Sequence, residues 1–220
     1  MLYNNELAYQ VAKYLLEIKA VKLNPGEPFT WASGIKSPIY CDNRKTLSYP
    51  DIRTFLAKSF ADIIRHKYPD VQIIAGVATG AIAIGVLVAQ ELNLPFIYIR
   101  SSQKDHGMQN QIEGDYKKYQ KVVIVEDLVS TGMSSLAAFS ALQDAEMNVL
   151  GMVAIYTYNL TKALKSFEEK KCELITLTDY DTTVSTAIKI NYIESAELDT
   201  LIEWKKDPAS WYDSKTKDKN

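Results

Sequence analysis

Apolar positions fall along this chain in helical stripes and in short continuous runs, and the switches between them mark out its elements. Leu7, Val11, Tyr14, Leu15 and Ile18 fall at helical spacing behind Asn4 and Asn5, either of which can cap a first turn. A second helical stripe, Ile52, Phe55, Leu56, Phe60, Ile63 and Ile64, lies within residues 48–67, with Pro50 near its first turn. Short apolar runs then alternate with helical patterns. Residues 71–77 predict a strand, Ala78-Thr79-Gly80 a tight turn, and the following residues a helix to about Leu92. Strands follow at 95–99, 122–125, 149–156 and 172–177, with helices opening near Ser134 and over 160–169, 182–190 and 195–205. Strands alternating with helices predict a doubly wound α/β fold. Its sheet is mostly parallel and flanked by helices, and its sites lie at the carboxyl ends of the strands. Residues 1–213 read as one domain and 214–220 as a frayed polar tail.

Two stretches break the pattern. Residues 23–42 carry Pro25, Gly26, Pro28, Gly34 and Pro38 among Phe29, Trp31 and Tyr40. Such a loop or hairpin either covers the core or sandwiches a flat heterocycle, with Lys36 facing an anion. Residues 100–119 show no periodicity over a length that is unusual inside a compact domain. They carry Arg100, Lys104 and His106, so they read either as a solvated loop or as a lid closing over a pyrophosphate. The other histidine, His66, sits between Arg65 and Lys67 and reads as a solvated surface residue.

The run from Val122 to Ser135 is the most informative. Four β-branched residues, Val122 to Val125, predict a buried strand that ends in Glu126 and Asp127. Ser130-Thr131-Gly132 follow, and then a helix. Free N–H groups in a first helical turn, with the helix dipole behind them, favour an anion, and Ser130, Thr131 and Ser134 add hydroxyl donors. Two carboxylates would repel a bare phosphate. They make sense if the ligand also carries sugar hydroxyls or a divalent metal. The stretch therefore asks for a phosphorylated ribose. It lacks the Gly-Lys-Ser/Thr of a Walker loop and the three glycines of a dinucleotide loop.

Composition adds bounds. The chain has 220 residues, 47 % hydrophobic and 24 % charged, with a net charge of −2, so no basic field argues for nucleic acid. Two cysteines, Cys41 and Cys172, are too few for a disulfide framework and suit a reducing compartment. The first residues show no signal-peptide pattern, and no apolar run is long enough to span a bilayer. The expected location is the cytoplasm, with no membrane partner.

Phe29 to Tyr40, Arg100 to Gly107 and Val122 to Ser135, in this order and spacing, together resemble the orotate phosphoribosyltransferases. These form a family of type I phosphoribosyltransferases. The resemblance implies that fold, with a first helix plus a small hood and base-pocket segment in about residues 1–48 and a core in 49–213. It implies transfer of the phosphoribosyl group from phosphoribosyl diphosphate (PRPP) to orotate, in de novo pyrimidine biosynthesis. Carried over residue by residue, it puts Glu126 and Asp127 at the ribose hydroxyls. Leu128, Val129, Ser130, Thr131, Gly132, Met133 and Ser134 surround the 5′-phosphate. Arg100, Lys104 and His106 meet the pyrophosphate, and Ser130, Lys36 and Tyr40 meet orotate. Lys104, His106 and Asp127 are the catalytic assignments. Magnesium is implied as cofactor, held mainly through PRPP and water. A homodimer is implied too, with the 101–119 loop reaching the partner's site.

Some positions depart from the family pattern. Ala32, Ser101 and Gly80 stand where members carry Lys, Met133 replaces a small residue, and no Arg follows the strand at 149–156. Two alternatives stay open at this level. One is a phosphoribosyltransferase acting on a purine. The other is a non-catalytic PRPP-sensing regulator, which would want a basic DNA-binding element that the chain does not display.

Overall fold

A computed structural model describes residues 1–31, 34–100 and 111–212. Helix α1 (Asn5–Glu17) is capped by Asn4, whose side chain accepts from the Leu7 N–H at 2.8 Å. The next strands, β1 (Val21–Leu23), β2 (Phe29–Thr30), β3 (Lys36–Ser37) and β4 (Ile39–Cys41), make two small antiparallel pairs, β1 with β4 and β2 with β3. These are the hood, and the breaker-rich segment is a hairpin. A 3₁₀ segment, Asn43–Ser48, leads into α2 (Pro50–Lys67).

The core continues with β5 (Ile73–Val77), α3 (Ile82–Leu92), β6 (Phe96–Ile99), β7 (Ile112–Glu113), β8 (Lys121–Val129) and α4 (Met133–Asp144). It closes with β9 (Asn148–Thr157), α5 (Thr161–Glu169), β10 (Leu174–Asp179), α6 (Tyr180–Lys189) and α7 (Leu198–Lys206). The sheet order is β10-β9-β8-β5-β6-β7, parallel except for β7 at the edge. The expected doubly wound, mostly parallel sheet is therefore present.

Strand alternation sorts the core onto two faces. Ile73, Ala75, Val122, Ile124, Met152 and Ala154 pack with Phe139 and Leu142 of α4 and Phe167 of α5. Ile74, Val123, Val125, Val153 and Ile155 pack with α1, α2, α3 and α6. Each fully buried aliphatic side chain contributes roughly 1.5–3 kcal/mol, so this two-faced pattern fixes the strand register. Helix α1 packs into this core, as its helical stripe of apolar positions predicts: Ala8, Val11, Ala12, Leu15 and Leu16 are all at 0 % exposure.

The helices after β5 and β8 leave on opposite faces: α4 packs with the first group and α3 with the second. Their neighbouring carboxyl ends are thus the point where the winding reverses, and such a sheet binds ligands in the crevice there.

Two element boundaries near the crevice differ from the sequence reading. The central strand does not stop at Val125. It carries Glu126 and Asp127 within it and pairs on to Leu128↔Tyr156 and Val129↔Thr157, because β9 is long enough to offer partners. The polar tract after Arg100 contains the short strand β7, whose Glu113 and Ile112 pair with Tyr98 and Ile99. The tail at 214–220 lies outside the described residues.

Candidate active site

Two turns meet at the reversal point. The first follows β5, at residues 78–80, where Ala78 N–H donates to Ile99 O at 2.8 Å and the Ala78–Thr79 peptide is cis. The second, Ser130-Thr131-Gly132, joins β8 to α4. Gly132 takes φ +81°, a conformation that favours glycine. The first bond of α4 runs from Leu136 N–H to Gly132 O, so the N–H groups of Met133, Ser134 and Ser135 precede it and face outward from the helix end. This is the geometry of an anion cradle.

The two acids that the sequence put side by side occupy different environments. Glu126 is 3 % exposed. It accepts from Ser135 Oγ at 2.8 Å and from the Asp127 N–H at 2.9 Å. Burial, and next the charge of Asp127, raise its carboxyl well above the ordinary value. Asp127 is only half-buried and projects against the first turn. A Cβ built on Gly80 would collide with the carboxyl group of Asp127. Gly80 therefore lacks a side chain for a local reason: Asp127 occupies the space. The sequence showed Gly80 as part of a tight turn and as a departure from the family pattern, without this reason.

A cavity of about 170 Å³ opens beside these turns, lined by Trp31, Tyr40, Cys41, Leu128, Ser130 and Tyr158. Trp31 Nε1 donates to Ile39 O at 3.0 Å, and its ring stands 5.2 Å from that of Tyr158. Phe29 and Tyr40 pack at 5.9 Å. Burial raises the Cys41 thiol well above its ordinary value, so it lines the cavity as an apolar group. Behind it Trp204 of α7 packs on Trp31 at 5.7 Å, on Tyr158 at 5.8 Å and on Tyr180 at 5.3 Å.

The structure brings Tyr40 and Ser130 together in this cavity, as the expected base pocket requires. Lys36 is not in its lining: Nζ donates to Thr30 Oγ1 at 2.7 Å and lies 5.8 Å from the Tyr212 ring. Leu128, expected at the phosphate, is a strand residue lining this cavity, and Val129 is buried in the core at 0 % exposure. The loop proper is thus residues 130–132, and Met133 and Ser134 are exposed at the helix start. Arg100 sits at the end of β6, held by Arg100 N–H to Gln111 O and Gln111 Nε2 to Arg100 O. Its guanidinium lies 3.6 Å from Glu113. Lys104, His106, Ala32 and Ser101 lie outside the described residues.

Sequence reasoning missed Cys41 and Tyr158 as lining residues, and no local signal marks either. Tyr158 gains its place only because β8 and β9 end level with each other.

The crevice combines an acid-bearing strand end with a glycine-ended loop at a helix start. The profile of the phosphoribosyl transferase domain family matches residues 45–190. Two enzymes called orotate phosphoribosyltransferase are close in sequence. That of Porphyromonas gingivalis is 53 % identical over 91 % of this chain and 96 % of its own. That of Listeria innocua is 54 % identical over 92 % and 97 %. The crystal structure of orotate phosphoribosyltransferase from Aeropyrum pernix superposes with a TM-score of 0.72 at 24 % identity, over 84 % of this chain and 99 % of that one. The chain belongs to the orotate phosphoribosyltransferase family.

Proposed function

We infer that this chain transfers the phosphoribosyl group of PRPP to a ring nitrogen of orotate. The products are orotidine 5′-monophosphate and pyrophosphate, and the reaction serves pyrimidine biosynthesis. The observation that carries the reading is the meeting at Ser130 of an anion cradle at 130–135 and an aromatic cavity, at the end of the strand that carries Asp127.

In the reaction the bond from the ribose anomeric carbon to pyrophosphate breaks and a bond to the orotate nitrogen forms. The ring N–H proton is released. Positive charge develops on the ribose, so catalysis depends on alignment and on stabilising the leaving group rather than on a protein nucleophile. Backbone N–H groups of α4 and the hydroxyls of Ser130, Thr131 and Ser134 receive the 5′-phosphate. Asp127 receives ribose hydroxyls and favours the developing positive charge. Glu126, buried behind it, supports the strand end. Trp31, Tyr40 and Tyr158 flank the base and exclude water. Arg100, with Lys104 and His106, meets the pyrophosphate.

Magnesium fits as cofactor. Asp127 is a single open carboxylate beside hydroxyl and backbone donors. That suits an ion which keeps its waters and binds through substrate oxygens rather than through a protein cage. When bound, it neutralises charge on the pyrophosphate. A homodimer, with the 101–119 loop completing the partner's site, and a cytoplasmic location complete the reading. No helix among the described residues is long and apolar enough to cross a membrane. The direct test is orotate consumption with PRPP and magnesium, measured against other bases.

A further inference from the structure

The 3₁₀ segment Asn43–Ser48 belongs to neither phosphate turn, yet its first residue reaches the centre of the site. Asn43 is 2 % exposed. Its Nδ2 donates to the backbone carbonyl of Asp127 at 2.6 Å, across 84 positions of sequence. A carbonyl only accepts, so this bond fixes which way the amide points. Oδ1 then faces Cys41, whose Sγ lies at 3.4 Å as its donor and whose side chain lines the base cavity. The Asn43 backbone is itself held: Thr46 Oγ1 donates to Asn43 O at 2.6 Å, and Thr46 is 1 % exposed.

The carbonyl that Asn43 grips joins two functions. On one side of that peptide is Asp127, the acid turned toward the ribose. On the other is Leu128, which lines the base cavity. We propose that Asn43 is a positioning residue for the transfer: by pinning the Asp127–Leu128 peptide to the hood, it holds the ribose acid and the base cavity in register. This rests on the functional reading above. Asn43 lines neither half of the site and acts through Asp127 and Leu128. Removing its donor takes this partner from a part-buried carbonyl and frees the strand end to shift. Reacting atoms tolerate little of this, since a displacement of about 1 Å can cost about 100-fold in rate.

The test compares wild type with Asn43→Asp, which keeps the shape but turns a carboxylate on the Asp127 carbonyl. Each protein is assayed for kcat, for the KM of both substrates, for PRPP binding in the absence of orotate, and for thermal melting. The expected result is a kcat lower by roughly 10- to 100-fold, with PRPP affinity within about threefold and a cooperative melt above the assay temperature. A residue that only staples the hood would lower the melting temperature and leave kcat unchanged, and that result overturns the proposal.

If Asn43→Asp does not fold, Thr46→Val decides. It loosens Asn43 without entering the site, and kcat is expected to fall about threefold or more, with wild-type kcat counting against the proposal. Wild type that fails to consume orotate overturns the functional reading instead. Active wild type with an unaffected Asn43→Asp overturns the role of Asn43 alone.

Discussion

At the scale of single residues, the two adjacent acids divide their work by environment. Asp127 meets the backbone of Gly80 and stays open to the crevice. Glu126 is enclosed, with Ser135 Oγ and the Asp127 N–H as its donors. Its raised carboxyl makes a linkage prediction. The folded state keeps a proton that the unfolded chain releases above the ordinary carboxylate range. Stability from this group is complete below the unfolded value and is lost as pH rises through the folded one. Glu126→Gln removes that dependence. The melting-temperature difference, variant minus wild type, is expected to grow more positive from about pH 5 to about pH 8. A difference that stays flat across this range would contradict a buried, proton-holding Glu126.

At the scale of elements, the base cavity is walled by parts distant in sequence. The hood supplies Trp31 and Tyr40, the ends of β8 and β9 supply Leu128 and Tyr158, and α7 backs them with Trp204. Trp204→Ala removes a fully buried indole, at an expected cost of about 3–5 kcal/mol. For a chain of this size that lowers the melting temperature by on the order of 10 °C. Trp31 and Tyr158 lose their support, so the KM for orotate should rise while that for PRPP changes little. Steady-state kinetics on both substrates check this, and equal shifts in the two values would count against α7 as a wall of the base site.

The same elements explain what was legible beforehand. Continuous apolar runs and helical stripes announced the alternating core because a strand buried on both faces and a helix buried on one write themselves into local sequence. The hydroxyl-glycine loop was legible because its chemistry is local too. The extension of β8 through Glu126 to Val129 was not, since it depends on the length of a neighbouring strand. Nor was β7, a two-residue strand that exists only through pairing with β6. Tyr158, Cys41 and the bond from Asn43 to Asp127 were invisible for the same reason, being contacts between distant segments.

At the scale of the whole molecule, the proposed homodimer makes each site depend on two chains. Lys104→Ala and Asp127→Asn should each be nearly inactive alone. If the 101–119 loop serves the partner's site, mixing the two variants and letting subunits exchange should recover activity, because one site in each mixed dimer regains both groups. No recovery after verified exchange would contradict a shared site. The central claim, however, is the identity of the base. The most direct measurement follows absorbance with PRPP and magnesium present and orotate, hypoxanthine, guanine, adenine or uracil supplied in turn. The account predicts consumption of orotate alone, with formation of orotidine 5′-monophosphate. Turnover of a purine without consumption of orotate would contradict it.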